Sequence, residues 1–273
     1  MLKRHEMLVI FFALCWTALS FAQKPKIGLV LGGGGAKGAA TIGVLEVMEE
    51  ANVKVDYIAG TSIGALIGGL YASGYSTKEL EDLILSQEWE TILSGSKIER
   101  LIATLLEKHH KFLISDTDIP FRCVAVDYDK MTEVVLSKGP LAKAMRASMS
   151  IPGIYPPVEW GNSRLVDGGM INNLPVNVAR DMGADVVIAI DLQQGEGVDF
   201  GYSTGLGGLV DWFIKRPDTK VHQRNIKDSD IYIHPDLHNF DPSSFDHNSC
   251  ELMIRKGRNS AMYYWDKLIN LQK

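Results

Sequence analysis

Two short segments of this 273-residue chain set a reactive side chain among glycines. The first is Gly60-Thr61-Ser62-Ile63-Gly64, lying between a short apolar run and a helical pattern. A G-x-S-x-G sequence in that setting has the layout of a nucleophile elbow. Such a turn holds the Ser62 hydroxyl out at the carboxyl end of a sheet. There the start of the following helix steadies developing negative charge. The second segment is Asp167-Gly168-Gly169, a carboxylate ending a short strand ahead of two flexible residues. On its own that segment reads as a type I′ or type II turn. A serine hydroxyl is a poor nucleophile without a base. His109, His110, His222, His234, His238 and His247 are candidates, and His234 and His238 follow Asp167 as the third member of a triad would. The residues alone leave a histidine base open.

A third glycine-bearing turn is Gly32-Gly33-Gly34-Gly35-Ala36-Lys37-Gly38, directly after an apolar run. Glycines there let backbone N–H groups approach an anion, and a helix start adds positive potential. Gly33, Gly35 and Gly38 also fit the dinucleotide pattern G-x-G-x-x-G, with Asp56 near the spacing of a ribose-binding acid. Asp56 precedes the second strand rather than ending it, which counts against a nucleotide. The phosphate-loop pattern fails, because Gly38 follows Lys37 where Ser or Thr is required. The plain alternative is a tight strand-to-helix turn that needs glycine only for packing.

The elements that must position these turns alternate between short β-branched runs and helical patterns. Strands are expected at Lys26–Leu31, Tyr57–Ala59, Phe121–Val126, Thr132–Ser137, Arg164–Val166 and Asp185–Leu192, with a late strand at Asp230–His234. Helices are expected at Thr41–Glu50, Ile63–Ala72, Leu141–Ala147 and Val176–Met182, with a C-terminal helix at Ser249–Leu271. Gly64, Gly68 and Gly69 make the second helix rich in a residue that weakens helices, so close packing against another backbone is expected. Continuous apolar strands separated by helices imply a mostly parallel sheet covered on both faces, an α/β fold. Ser76 to Lys111 is helical and more polar, and reads as a cap or side subdomain. Gln193 to Gly208 reads as a mobile loop. Leu206 to Ile214, ending in Lys215 and Arg216, is a candidate membrane-contact or lid segment. The rival reading is a packed surface helix.

Composition narrows the classes. Hydrophobic residues make up 46% of the chain and charged residues 22%, with a formal net charge of −5. That suits a packed core and argues against disorder and against a general nucleic-acid binder. Lys3 and Arg4 precede thirteen residues, Met7 to Leu19, that are apolar apart from Thr17, and Ser20-Phe21-Ala22 follows. This is the layout of a signal peptide cut after Ala22. As a helix the run spans about 20 Å, short of a hydrocarbon core of about 30 Å. Cys15 raises a lipoprotein anchor, but bulky Leu14 stands where a small residue is wanted. Cleavage leaves a mature chain of net charge −6 with Cys123 and Cys250. Cys123 reads as a small buried side chain. No loop of the EF-hand type is present. Oligomeric state is not legible.

Taken together, the three turns and the stretch Arg146-Ala147-Ser148-Met149-Ser150-Ile151-Pro152-Gly153 resemble the patatin-like phospholipase family, in particular small exported bacterial members. The resemblance covers roughly residues 27 to 192 and implies a three-layer α/β/α sandwich, residues 193–273 being an extension packed on the same domain. It implies a Ser–Asp dyad, with Ser62 as nucleophile and Asp167 as base. It places the oxyanion at the amides of Gly34 and Gly35, with Lys37 beside them. Gly33, Gly38, Gly60, Gly64, Gly168 and Gly169 complete the motifs. The implied activity is ester cleavage in lipids, with no metal or cofactor and with a lipid substrate as partner. Tyr155 stands where relatives often carry Phe, and the stretch between Lys111 and Phe121 is short. With about eighty residues after Leu192, the chain has no room for the C-terminal barrel of some relatives. A periplasmic or secreted location is expected. The competing classes are a non-catalytic exported lipid- or protein-binding module and a dinucleotide-binding protein built on Gly33 to Gly38.

Overall fold

The computed structural model describes residues 24–86, 89, 97–194 and 220–271. Eight strands form one sheet: β1 (Ile27–Leu31), β2 (Tyr57–Thr61), β3 (Phe121–Asp127), β4 (Thr132–Leu136), β5 (Val158–Trp160), β6 (Ser163–Asp167), β7 (Val186–Ile190) and β8 (Ile231–Ile233). The path is β5-β6-β3-β2-β1-β7-β8, with β4 also paired to β3. β1, β2, β3, β7 and β8 run parallel, while β4 and β6 are antiparallel to β3 and β5 is antiparallel to β6.

The apolar runs of β1, β2, β3 and β7 are continuous because both faces are covered. Leu29, Leu31, Ile58, Cys123, Ile188 and Ile190 face one core, and Val30, Ala59, Val124, Val187 and Ala189 face the other. The first core is filled by α1 (Ala39–Glu50), α2 (Ile63–Ala72), α3 (Thr77–Ser86), α4 (Lys97–Glu107), α5 (Leu141–Ser148) and α8 (His247–Met262). The second is filled mainly by α6 (Val176–Asp181), with Ile226 of α7 (Lys220–Asp228) at its margin. These are the three layers the alternating pattern implies.

Four expectations change. The segment from Ser76 to Lys111 is not a separate subdomain. Leu80 and Ile84 of α3, and Ile98, Ile102 and Leu106 of α4, repeat at helical spacing and enter the main core. The C-terminal helix is broken: α8 ends at Met262, and α9 (Trp265–Asn270) begins after Tyr263 and Tyr264. α8 lies on α1 at backbone contact, because a Cβ on Gly257 would collide with the Ala40 carbonyl oxygen. Asp167-Gly168-Gly169 opens a short 3-10 turn (Gly168–Met170), not a type I′ or II turn. Of the glycines in α2, Gly64 meets backbone at Leu31, whereas Gly68 and Gly69 make room for the side chains of Leu31, Ile58 and Met145.

β8 adds a strand beside β7, so the chain after Leu192 completes the same sheet. Cys123 and Cys250 are buried and unpaired with each other. No helix among the described residues is long and apolar enough to cross a membrane. The expected signal peptide, nearly all of the mobile loop and the whole Leu206–Ile214 segment lie outside the described residues.

Candidate active site

The register of β3 places Ser62 and Asp167 together. β4 takes one edge of β3 over Cys123–Asp127. The other edge is therefore shared: β2 pairs with Phe121–Val124 and β6 with Ala125–Asp127. Because β2 is parallel to β3 and β6 antiparallel, their carboxyl ends converge, with Thr61 opposite Val124 and Asp167 opposite Ala125. Ser62 Oγ donates to Asp167 Oδ2 at 2.7 Å.

Ser62 adopts φ 56° and ψ −125°, a left-handed conformation uncommon for a residue with a side chain. Strain of this kind costs on the order of 1–3 kcal/mol and persists where surroundings over-determine it. The surroundings do so here. A Cβ on Gly64 would collide with the Leu31 carbonyl, and one on Gly60 with that of Gly64, so the turn closes only with glycine at both places. The Ser62 carbonyl accepts from Ala65 and Leu66 of α2. Its amide donates to Ser148 Oγ at 2.9 Å.

Asp167 is 1% exposed. Its Oδ1 accepts from the Gly169 amide at 2.7 Å, and its own amide donates to Ser150 O at 2.9 Å. Burial destabilises the carboxylate and pushes its pKa up to about 7, against the opposing pull of the Gly169 amide and the Ser62 hydroxyl. The carboxyl is thereby a far stronger base than a solvated aspartate.

The glycine loop lies alongside. A Cβ on Gly33 would stand 3.1 Å from Ser62 Cβ, and Gly38 packs on Ile63. The amides of Gly32, Gly33 and Ala36 are taken by Ile190 O, Asn173 O and Pro242 O. Those of Gly34 and Gly35 meet no acceptor among the described residues. Asn173 Nδ2 donates to Gly33 O at 3.1 Å, and Gly34 packs on Leu192. The Lys37 side chain is buried in the same turn. Asn173, Pro242, Ser148 and Ser150 escaped the reading of the sequence as contributors. Ser148 and Ser150 lie inside the Arg146–Gly153 stretch, where the resemblance gives them no role, and Asn173 and Pro242 carry no signal in the sequence.

The histidines are engaged elsewhere. His222 Nε2 lies 2.9 Å from Asp191 Oδ2, His234 Nδ1 3.3 Å from the Tyr232 hydroxyl, and His238 Nδ1 3.0 Å from Asp236. His247 contacts Leu85 O, and the His109 ring lies 4.6 Å from the Tyr75 ring at a 50° tilt. His110 is exposed on a turn after α4. Asp56 Oδ2 accepts from the Ile27 amide at 2.7 Å. It therefore sits at the amino end of β1, a strand's length from the glycine loop at the carboxyl end. That removes the ribose-binding acid from the dinucleotide reading.

A layered α/β sheet with a serine elbow at its carboxyl edge, facing a buried aspartate, defines the class. The patatin-like phospholipase family matches residues 29–118 and 91–180, and the chain belongs to that family. It is 38% identical over 206 residues to human patatin-like phospholipase domain-containing protein 6, covering 69% of this chain and 15% of that protein. It is 33% identical over 205 residues to Lysophospholipase NTE1 of Saccharomyces cerevisiae, covering 69% of this chain and 12% of that protein. The chain thus spans about one seventh of the length of the curated relatives it matches. Among solved structures, VipD from Legionella pneumophila superposes with a TM-score of 0.56 at 14% identity, covering 90% of this chain and 67% of that one. The type III effector protein ExoU superposes at 0.53 and 13%, covering 90% and 54%. At those identities the likeness is one of fold.

Proposed function

We propose that this protein is a lipid acyl hydrolase that cleaves carboxylic esters of phospholipids or related lipids through Ser62 and Asp167. The 2.7 Å hydrogen bond from the Ser62 hydroxyl to a buried carboxylate carries the reading. A base whose pKa lies near the working pH is best suited to proton transfer, and burial raises Asp167 into that range.

In the first half-reaction Asp167 takes the Ser62 proton as Oγ attacks the ester carbonyl. The carbonyl oxygen gains the negative charge, and the free amides of Gly34 and Gly35 receive it. Removing one such donor cost about 3–4 kcal/mol in a comparable enzyme. The intermediate collapses by breaking the ester C–O bond, and the departing alcohol takes the proton from Asp167. In the second half-reaction Asp167 deprotonates a water that attacks the acyl-Ser62 carbonyl. The acyl–Oγ bond breaks, Asp167 returns its proton to Ser62 Oγ, and the fatty acid leaves. Family membership and the name of the yeast relative support lipid esters as the substrate class.

One further reading belongs to the proposal. Residues 1–22 act as a signal peptide that sends the chain to the periplasm or beyond. Amino-terminal sequencing of the exported protein checks it: a start at Gln23 is expected, and an intact Met1 overturns it.

The activity itself is tested with chromogenic esters of increasing acyl length and with lysophospholipid, using Ser62→Ala as control. Hydrolysis by the wild type that the variant lacks is expected. Equal hydrolysis by both would overturn the assignment.

A further inference from the structure

The ladder between β2 and β3 begins with the Ile58 amide donating to Pro120 O, and the pairing then runs residue by residue from Ile58 opposite Phe121 to Thr61 opposite Val124. In a parallel ladder, alternate residues of one strand donate to its neighbour at even spacing. Two steps of two residues carry that pattern to the Ser62 amide and the Val124 carbonyl. At that place a third group intervenes. The Ser62 amide donates to Ser148 Oγ at 2.9 Å, and Ser148 Oγ donates to Val124 O at 2.6 Å. The Ser148 hydroxyl is thus spliced into the ladder at the point where β2 must leave the sheet.

Ser148 is fully buried at the end of α5. Its hydroxyl satisfies both backbone groups that the departure of Ser62 would otherwise strand. Leaving either group unmade in a dry interior is costly. Two residues on, Ser150 O accepts from the Asp167 amide. Arg146 of the same segment donates to Ser150 Oγ and lies 4.5 Å from the Tyr155 ring. One short segment therefore holds the backbones of both Ser62 and Asp167.

We propose that Ser148 is a positioning residue that holds Ser62 in its left-handed conformation, so that Oγ points at Asp167. The proposal rests on Ser62 being the nucleophile. Without the Ser148 hydroxyl, the Ser62 amide is free to close the ladder bond to Val124 directly. That pulls residue 62 back toward extended geometry and swings Oγ off the carboxylate. Ser148 has no exposed surface for a substrate to reach, so the loss falls on turnover and on nucleophile reactivity.

The test compares wild type, Ser148→Ala, Ser148→Cys, Ser148→Thr and Ser62→Ala. Each is assayed for kcat and KM on a chromogenic ester, for covalent labelling by an alkyl fluorophosphonate, and for thermal melting. Misplacement of about 1 Å costs on the order of 100-fold in rate. Ser148→Ala is expected to lose about 10- to 100-fold in kcat and in labelling rate at unchanged KM, with Ser148→Thr recovering most of both. Ser148→Cys nearly keeps the volume with a weaker hydrogen-bonding group and is expected to lose less than Ser148→Ala. Should the alanine variant not fold, the cysteine variant alone is compared with wild type, and a lower kcat and labelling rate at unchanged KM is expected. Wild-type kcat and labelling in a folded alanine or cysteine variant, with only the melting point lowered, would overturn the proposal and leave the dyad standing. Labelling that survives Ser62→Ala would instead overturn the dyad, and this proposal with it.

Discussion

Thr61 and Asp167 sit opposite consecutive residues of β3, Val124 and Ala125, because β2 and β6 run toward each other along a single strand edge. Ser62 therefore meets a carboxylate 105 residues further along the chain with no loop between them. Backbone ladders on both sides hold the pair, the arrangement that gives a site its precision.

Asp167 predicts the pH dependence of activity. Only the deprotonated carboxylate accepts the Ser62 proton, and burial pushes its pKa up to about 7. The kcat/KM profile is expected to rise with pH to a plateau, with its acid limb near 7. Initial rates from pH 5 to 9 on a non-ionising ester check this. A limb near 4 would mean a solvated carboxylate.

The same burial has a cost in stability whose sign is fixed. In the unfolded chain an aspartate titrates near 3.9. Between that value and about 7 the folded protein keeps a proton that the unfolded chain has released. Stability from this group is thus fully present below pH 4 and is lost as pH rises through 7. At pH 8 the buried charge costs on the order of a few kcal/mol. Asp167→Asn is expected to melt above wild type at pH 8, with the gap closing toward pH 4. A pH-independent gap in melting temperature would contradict the linkage.

Histidine replacement separates dyad from triad. His234 and His238, which follow Asp167 in chain order, bond to Tyr232 and Asp236 instead. Single changes to Asn are expected to leave kcat near wild type, whereas loss of a general base costs about 10²- to 10⁴-fold. A drop of that size in either variant, measured on the same ester, would make that histidine the base.

The contact between α1 and α8 gives a change that acts on stability alone. Gly257→Ala drives a methyl into the Ala40 carbonyl, a contact that includes none of the residues placed at the site. Overpacking of this kind costs about 1–3 kcal/mol. The melting temperature is expected to fall by several degrees while activity per folded molecule holds. Loss of activity without loss of stability would contradict the separation.

Much of this was legible in the residues, for identifiable reasons. Ile27–Leu31 and Val186–Ile190 are buried on both faces, so their runs are unbroken and their bounds were read to within two residues. The elbow announces itself because Gly60 and Gly64 must be glycine for Ser62 to turn. Asp167 was a weaker signal, since a carboxylate before two glycines fits many turns, and only the family resemblance gave it a role. α7 escaped because its buried face carries His222 and Asn225, polar residues paired with Asp191 and with Asn172, Leu174 and Asn177. β5 escaped because its alternation, Val158-Glu159-Trp160, is only three residues long and follows two prolines. The sharing of one β3 edge, and the insertion of Ser148 into it, depend on register, which no local pattern encodes.

The most direct test of the central claim is covalent. The protein is exposed to a long-chain alkyl fluorophosphonate, and the adduct is located by peptide mass while its rate is followed in wild type and Asp167→Asn. A single adduct on Ser62, forming at least about 100-fold more slowly in Asp167→Asn, is the predicted result. An adduct on another residue, or an unchanged rate in the asparagine variant, would contradict the account.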